Sequence, residues 1–281
     1  MKTIGFVDYY ISEWHANNYP VWIKEICEKS GKDFEVKYAW AEEYISPVDG
    51  RNTDEWCEAF GVEHCQTLEE LCEKSDYIIV LAPSNPEKHL EYVKTVFKYK
   101  KNTYVDKTFA PDAATAKAIF DEAEKYGTKF FSSSALRYAT ELDELSGSES
   151  VITVGGGGSL EEYIIHQAEM LVKLVSARPT SVSATLKGKG QYIIDVEFEG
   201  GKSGTMIYSN GIPFAVCAED ENGNSRYTGI DSPFFNNLLA DILRFFEEGT
   251  TSFDVNETLY VMQVREAAVN ASREIGKKIN I

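Results

Sequence analysis

The first half of the chain alternates short apolar runs with segments in which apolar residues recur at helical spacing. The candidate strands are residues 3–7, 34–40, 77–82, 103–105 and 129–132, and the helical segments are 21–29, 68–74, 86–98 and 112–126. This alternation, with strands that are apolar almost throughout, is typical of a parallel sheet covered by helices on both faces. It predicts a doubly wound α/β domain over residues 1–133.

The pattern changes after residue 134. Four segments alternate apolar and polar side chains with a period of two, at residues 182–186, 192–198, 206–208 and 214–218. This period is typical of antiparallel strands with one polar face. Helical segments accompany them at residues 160–175, 234–248 and 255–275. We therefore expect an α+β domain with a mainly antiparallel sheet over residues 134–281.

Charge and composition narrow the classes of partner. The 45 acidic residues outnumber the 28 basic ones and give a formal net charge of −17, which repels phosphate backbones and anionic lipid. We expect neither nucleic acid nor a membrane as the principal partner. The five cysteines are scattered without a CxxC pair, which is typical of reduced cytoplasmic proteins. We recognise no cleavable leader, no apolar run of membrane length and no metal-ligand motif, and we expect a cytoplasmic protein without a metal.

Polar residues follow two of the predicted strands of the first domain. Lys107 comes just after the strand at 103–105, while Ser84 and Asn85 lie in a proline-containing turn after the strand at 77–82. The carboxyl ends of parallel strands line the ligand crevice of such sheets. An ordinary loop lysine fits the same pattern, so these residues gain meaning only in combination with others.

Glu162 and His166 are four residues apart on a predicted helix and therefore share one of its faces. A carboxylate beside an imidazole supports a general base that takes a hydroxyl proton. The glycines at 155–158 would let this helix begin close to a ligand. The same residues also fit a solvated helix face after a surface turn.

Taken in order, these segments resemble the sugar and polyol dehydrogenases of the glucose–fructose oxidoreductase and inositol dehydrogenase (Gfo/Idh/MocA) family. The family's Thr-Pro-Asn and following His are similar to residues 82–85 with His89, and its Glu-Lys-Pro is similar to residues 106–108. Its arginine segment and its Gly-Gly-x-Leu helix are similar to residues 135–138 and 157–169. The resemblance implies a Rossmann-like nucleotide-binding domain, a second domain for substrate binding and oligomerisation, a homodimer or homotetramer, and NAD or NADP as cofactor.

The resemblance also implies roles for individual residues. Lys107 would position substrate and nicotinamide, His166 would act as acid and base, and Glu162 would stand for the family's aspartate. We expect these three side chains to converge on one crevice between the domains. The other implied site residues are Ser84, Asn85, His89 and Asp106 along the cofactor and Arg137 near the substrate.

The segment after the first strand departs from the family. A G-x-G-x-x-G fingerprint lets pyrophosphate approach a helix N-terminus. Here Asp8 and Tyr10 occupy the first two glycine positions, with Ile11 or Ser12 near the third. A bound dinucleotide would face Asp8 and Tyr10, whose charge and bulk predict weak affinity. Asp8 is also explained as a helix N-cap.

Three functions fit these observations. The first is an NAD(P)-dependent oxidoreductase that acts on a sugar, polyol or related hydroxyl compound by hydride transfer, with acid–base assistance from Lys107 and His166. The alternative is a non-catalytic or NAD-independent relative that binds a small molecule in the same crevice. The third is a structural subunit that assembles through the sheet of the second domain.

Overall fold

The structure is a computed structural model that describes residues 1–281 and divides into two units. The first unit comprises Met1–Ser133 together with Leu238–Phe253, and the second comprises Ser134–Asn237 together with Asp254–Ile281. The chain therefore passes from one unit to the other three times. None of its helices combines the length and the apolar character that crossing a lipid bilayer requires.

A six-stranded sheet lies at the centre of the first unit, with the strand order β3-β2-β1-β4-β5-β6. Every neighbouring pair is parallel, and the order is that of the dinucleotide-binding Rossmann fold. The predicted doubly wound sheet is thus confirmed. The strands are β1 (Lys2–Asp8), β2 (Phe34–Ala41), β3 (Glu63–His64), β4 (Tyr77–Val80), β5 (Thr103–Val105) and β6 (Phe130–Phe131). The helices between them are α1 (Trp14–Ser30), α2 (Thr53–Phe60), α3 (Leu68–Lys74), α4 (His89–Val96) and α5 (Ala113–Tyr126).

Local signals explain where these helices begin and end. Asp112 caps helix α5 by accepting a hydrogen bond from the Thr115 N–H at 2.7 Å, and Gly127 ends the helix with a left-handed φ of 68°. Helix α1 begins at Trp14 and continues through Pro20. The sequence pattern predicts a later start, at residue 21, because proline disfavours a helix interior.

All of helix α7 (Phe234–Glu248) except its first four residues belongs to the first unit. The ring of Phe245 lies against that of Phe131 with 5.0 Å between centroids, and Phe246 stacks on Tyr77 at 4.7 Å. Phe131, Phe245 and Phe246 are almost completely buried. The core of the first unit therefore includes residues that the chain supplies after most of the second unit.

Seven strands form the sheet of the second unit, in the order β12-β11-β7-β10-β9-β8-β13. Strand β7 pairs with β10 in parallel, and every other neighbouring pair is antiparallel, so the predicted mainly antiparallel sheet is confirmed. The strands are β7 (Ser150–Gly155), β8 (Pro179–Lys187), β9 (Gln191–Phe198), β10 (Ser203–Tyr208), β11 (Ala215–Glu219), β12 (Ser225–Gly229) and β13 (Lys278–Asn280). Helices α6 (Leu160–Val175) and α8 (Glu257–Arg273) pack on each other and on this sheet.

Candidate functional site

Asp8 is the last residue of strand β1 and is 1% exposed. Its Oδ1 accepts hydrogen bonds from the backbone N–H groups of Tyr9 at 2.7 Å and Ala82 at 3.0 Å, and thereby joins the ends of β1 and β4. Its Oδ2 is buried without a hydrogen-bond partner. Burial and the nearby Glu13 carboxylate raise the pKa of Asp8 well above its ordinary value, because the charged form has lost water and faces a like charge.

Glu13 is the N-cap of helix α1 and is 6% exposed. Its carboxylate accepts hydrogen bonds from the N–H groups of His15, at 2.8 Å, and Ala16. The cap is therefore Glu13, five residues beyond Asp8. In a G-x-G-x-x-G fingerprint that begins at Asp8, position 13 holds the third glycine. Sequence reasoning missed Glu13, although counting the spacing of the fingerprint would have found it.

His15 and Asp106 form a buried pair in the same unit. His15 Nδ1 lies 2.5 Å from Asp106 Oδ2, and the Tyr104 hydroxyl donates to Asp106 Oδ1 at 3.1 Å. Burial would raise the pKa of Asp106, but His15 and Lys107 hold it below the ordinary value. The His15 ring also stacks on that of Tyr19, with 5.1 Å between centroids. No group of three or more His, Cys, Asp or Glu side chains is arranged so that it could hold a metal ion.

The predicted cofactor residues after strand β4 have contacts within the first unit. His89 is fully buried, with Nδ1 2.9 Å from the Phe109 carbonyl oxygen and Nε2 2.5 Å from that of Leu81. Its burial lowers the pKa of the imidazole. Asn85 donates to Glu87 Oε1 at 3.0 Å, and Ser84 is exposed. His89 therefore connects the segments after β4 and β5 through contacts of its two ring nitrogens.

A carboxylate after strand β2 is already paired. In Rossmann folds an acidic residue in this region takes the ribose hydroxyls of NAD. Here Glu42 accepts hydrogen bonds from Lys88 Nζ at 2.5 Å and from the Tyr92 hydroxyl at 2.7 Å. Burial alone would raise the pKa of Glu42, but these hydrogen bonds hold it below the ordinary value. The Lys88 ammonium also lies 5.2 Å from the centre of the Tyr9 ring. Protein groups thus engage both Glu42 oxygens.

In the second unit, His166 is held by a hydroxyl group. Ser134 Oγ lies 2.6 Å from His166 Nδ1. The rings of Tyr163 and Phe214 flank the imidazole edge to face, each with 5.7 Å between centroids. Glu162 is exposed in the first turn of helix α6. The imidazole therefore has a fixed orientation between two aromatic walls, with a serine at one of its nitrogens.

The glycine run before helix α6 makes room for these two rings. A Cβ atom on Gly155 would lie 2.2 Å from the Phe214 ring, and one on Gly157 would lie 2.1 Å from the Tyr163 ring. Both distances are far below van der Waals contact. The glycines are thus explained by packing inside the second unit, because they let the two rings that flank His166 come close to the backbone.

Arg137 is buried in an ion-pair cluster of the second unit. Its guanidinium contacts the carboxylates of Glu169 and, at 2.8 Å, Glu257, and it is 5% exposed. Burial alone would lower the pKa of Arg137, but the two carboxylates hold it above the ordinary value. Lys173 Nζ donates to the Arg137 carbonyl oxygen at 2.8 Å. Arg137 is therefore fixed by its neighbours.

The predicted site residues fall in both units. Lys107 is half-buried directly after Asp106 in the first unit, and Tyr10 is half-buried in the loop between β1 and α1. Glu162 and His166 belong to helix α6 of the second unit. Within the first unit, hydrogen bonds join Asp8 to the segment after β4, and the pair of His15 and Asp106 joins helix α1 to the end of β5.

Comparison with known proteins supports the same fold. The model of an oxidoreductase family with an NAD-binding Rossmann fold (GFO_IDH_MocA) matches residues 42–134. No curated protein sequence matches the chain. Myo-inositol dehydrogenase from Lactobacillus casei, solved with NAD(H) and myo-inositol, is 12% identical with a TM-score of 0.81, and the match covers 100% of this chain and 96% of that one. Myo-inositol dehydrogenase from Corynebacterium glutamicum is 11% identical with a TM-score of 0.78, and the match covers 100% of this chain and 98% of that one. UDP-N-acetylglucosamine 3-dehydrogenase from Acidithiobacillus ferrooxidans is 11% identical with a TM-score of 0.73, and the match covers 96% of this chain and 97% of that one.

The fold combines a Rossmann-type first unit with a second unit built on a mainly antiparallel sheet. More particularly, the match over residues 42–134 and the shared fold confirm the resemblance to the Gfo/Idh/MocA proteins. The family match begins after the loop that carries Asp8, Tyr10 and Glu13.

The residues of that loop do not fit a dinucleotide held in the manner of this fold. A Rossmann fold presents free N–H groups of a glycine-rich turn and a helix N-terminus to pyrophosphate. Here Asp8 accepts from the N–H groups of Tyr9 and Ala82, and Glu13 accepts from those at the start of helix α1. Two carboxylates thus occupy the place where an anion would bind.

Proposed function

We propose that this chain binds a sugar, polyol or related hydroxyl compound, with the His166 imidazole as the group that exchanges a proton with a ligand hydroxyl. The observation that carries the proposal is the hydrogen bond of 2.6 Å between Ser134 Oγ and His166 Nδ1. A histidine anchored at one nitrogen between the aromatic rings of Tyr163 and Phe214 has the mixed apolar and polar character of small-molecule sites.

The serine has a specific role in this proposal. Its hydroxyl either donates to Nδ1 or accepts from it, and in both cases it fixes the ring orientation and favours one tautomer. Proton exchange with the ligand would then use Nε2, the opposite ring nitrogen. Glu162, four residues before His166, would support the imidazolium electrostatically across the helix surface.

Two other residues enter the proposal through the family resemblance. Lys107 would bind the hydroxyl oxygen and stabilise negative charge on it. Arg137 would lie near the ligand, held in place by its ion pairs with Glu169 and Glu257. Five cysteines without disulfides support a reducing, cytoplasmic location, and the resemblance supports assembly as a homodimer or homotetramer.

The proposal has two forms, which differ in the cofactor. In the form that we favour, the chain is an NAD-independent relative that binds the hydroxyl compound alone, and the carboxylates of Asp8 and Glu13 support this form. In the second form it is an NAD(P)-dependent dehydrogenase of the same compounds. The family match over residues 42–134 supports the second form, as does the relative that was solved with NAD(H) and myo-inositol.

Calorimetric titration with neutral hydroxyl compounds tests the proposal. The full chain is titrated with myo-inositol, D-glucose and D-sorbitol, and the compound that binds is then titrated into His166→Ala and Ser134→Ala. Loss of one hydrogen bond to His166 in Ser134→Ala corresponds to about fivefold weaker binding, and His166→Ala should bind at least as weakly. His64→Ala removes a histidine whose Nδ1 lies 2.6 Å from Asp54 in the first unit; it serves as the control and should bind normally.

The outcomes separate the two forms. Binding of none of the compounds, or unchanged binding by His166→Ala, would contradict the proposal. Formation of NADH or NADPH absorbance when the wild-type chain is given NAD⁺ or NADP⁺ with the bound compound would select the dehydrogenase form. Thermal unfolding of each variant confirms that lost binding does not reflect lost folding.

A further inference from the structure

The loop between β1 and α1 (residues 9–13) places protein carboxylates where Rossmann folds leave room for phosphate. We infer that the Glu13 carboxylate takes the place of a dinucleotide's pyrophosphate at the N-terminus of helix α1 and keeps dinucleotides out of this position. The inference rests on the proposed function in its NAD-independent form and deepens it by naming the residue that excludes the cofactor. Hydrogen bonding, burial and charge each contribute to it.

Hydrogen bonding is the first step. Helix N-termini bind anions because their first N–H groups have no partner within the helix. In helix α1, Glu13 accepts from two of these groups, those of His15 and Ala16. Its carboxylate offers the same kind of anionic acceptor as a phosphate and is already tethered at the N-cap, so it loses no translational freedom on binding there. A pyrophosphate would have to displace it.

Burial is the second step. Asp8, Ser12 and Glu13 are 1%, 1% and 6% exposed. The segment after β2 holds the loop from outside, since Ser46 Oγ donates to the Ser12 carbonyl oxygen and Ser12 Oγ donates to Asp49 Oδ2, each at 2.7 Å. Moving Glu13 aside would therefore break a hydrogen-bonded loop in addition to the helix cap.

Charge is the third step. Asp8 Oδ1 accepts hydrogen bonds from the N–H groups of Tyr9 and Ala82, so these donors are not free to bind a phosphate. Asp8 Oδ2 is buried without a hydrogen-bond partner. Of the other ionisable groups beside this loop, Lys88 lies 5.2 Å from the Tyr9 ring but is paired with Glu42 at 2.5 Å, and Asp106 is paired with His15. A phosphate would meet acceptor oxygens of Asp8 and Glu13 where the fold otherwise offers free N–H donors, whereas a neutral hydroxyl compound can itself donate a hydrogen bond to such oxygens. The loop thus selects against phosphate-bearing ligands.

Titration of loop variants with NADH tests this inference. The wild-type chain, Glu13→Ser and the triple variant Asp8→Gly/Tyr10→Gly/Glu13→Gly are titrated with NADH by fluorescence and with ADP by calorimetry. Serine keeps a capping hydroxyl but removes the charge. We expect no saturable binding by the wild-type chain up to the highest NADH concentration used, and saturable binding by Glu13→Ser at least about tenfold tighter than that limit, because a like charge leaves the buried helix terminus. The triple variant should bind more tightly still.

Asp112→Ser is the matched control, because it removes the carboxylate that caps helix α5 of the same unit. It should leave NADH affinity unchanged, and an equal gain in this variant would show that only overall charge matters, which would overturn the inference. Saturable NADH binding by the wild-type chain would overturn it directly. Folded Glu13→Ser that gains no affinity would also overturn it, since some other feature would then exclude the dinucleotide.

The same preparations separate this inference from the proposed function. Circular dichroism establishes that each variant is folded, and Glu13→Ser alone suffices if the triple variant unfolds. The hydroxyl compound identified with the wild-type chain should bind Glu13→Ser with unchanged affinity. Loss of hydroxyl binding by His166→Ala together with no NADH gain in Glu13→Ser would retain the hydroxyl site and reject the role of Glu13.

Discussion

Replacing Asp8 with asparagine should make the protein more stable, by an amount that grows with pH. Asparagine keeps a carbonyl oxygen that can accept from the N–H groups of Tyr9 and Ala82, but it cannot ionise. The aspartate side chain is 1% exposed, and burial and Glu13 raise its pKa well above the ordinary value of 3.8. The variant therefore removes an unfavourable buried charge while it keeps the hydrogen bonds to the two N–H groups.

The sign of the effect follows from proton linkage. Because the pKa of Asp8 is higher in the folded state, the folded chain keeps a proton that the unfolded chain releases above pH 3.8. The stability from this proton is fully present below pH 3.8 and is lost as the pH rises through the folded pKa. Each pKa unit between the two states corresponds to about 1.4 kcal/mol of lost stability in the wild-type chain. The repulsion between Asp8 and Glu13 is one of the causes of the raised pKa and is therefore already included in this difference.

Urea unfolding of both proteins between about pH 4 and pH 9 measures this difference. The free energy of unfolding of Asp8→Asn minus that of wild type should rise with pH and level off above the folded pKa. Asp220→Asn is the control, because hydrogen bonds from Asn224 lower the pKa of this exposed carboxylate below 3.8, so its contribution to stability changes only at the acidic end of the range and the difference should stay nearly constant above it. A difference for Asp8→Asn that stays constant across the range would refute the reasoning.

Two further predictions concern the second unit. Glu169→Ala removes one of the two carboxylates that pair with the buried Arg137 guanidinium and should cost about 3 kcal/mol in urea unfolding. Glu144→Ala, in an exposed pair with Arg226, should cost less than about 1 kcal/mol, and equal losses would contradict the argument. Gly157→Ala places a Cβ 2.1 Å from the Tyr163 ring and should cost about 1–3 kcal/mol in thermal unfolding and weaken hydroxyl binding. In Gly158→Ala the Cβ would lie 3.8 Å from the Tyr163 ring, an ordinary van der Waals distance. This variant should change neither quantity, and similar effects in both variants would reject the packing explanation.

The fold was readable from the sequence wherever burial produces a strong pattern. Strands β1, β4 and β5 are buried and apolar along most of their length, and the period of two in β8 and β9 reflects one buried face. Strand β12 (Ser225–Gly229) has no such signal because it is a mostly exposed edge strand. Helix α2 was also missed although its capping box of Asn52 and Glu55 is clear, because a helix of eight residues makes only about two turns and gives little periodicity.

The candidate site was less readable, because contacts between distant residues define it. The hydrogen bond between Ser134 and His166 joins residues 32 apart. Phe214 explains the glycine at 155 only after the chain has folded. Glu13 is different, since the spacing of the glycine fingerprint from Asp8 points to it directly. Its role as a cap, however, required the hydrogen bonds to the N–H groups of His15 and Ala16.

The split composition of the first unit has a consequence for how the chain folds during synthesis. Met1–Ser133 leaves the ribosome first, but the rings of Phe245 and Phe246 that cover Phe131 and Tyr77 are translated only after most of the second unit. Until then these apolar surfaces have no permanent cover. Domains generally fold in the order of their synthesis, whereas here the unit that emerges first cannot complete its core until helix α7 has been translated. A fragment that ends at residue 133 would leave the same aromatic surface exposed and prone to aggregation.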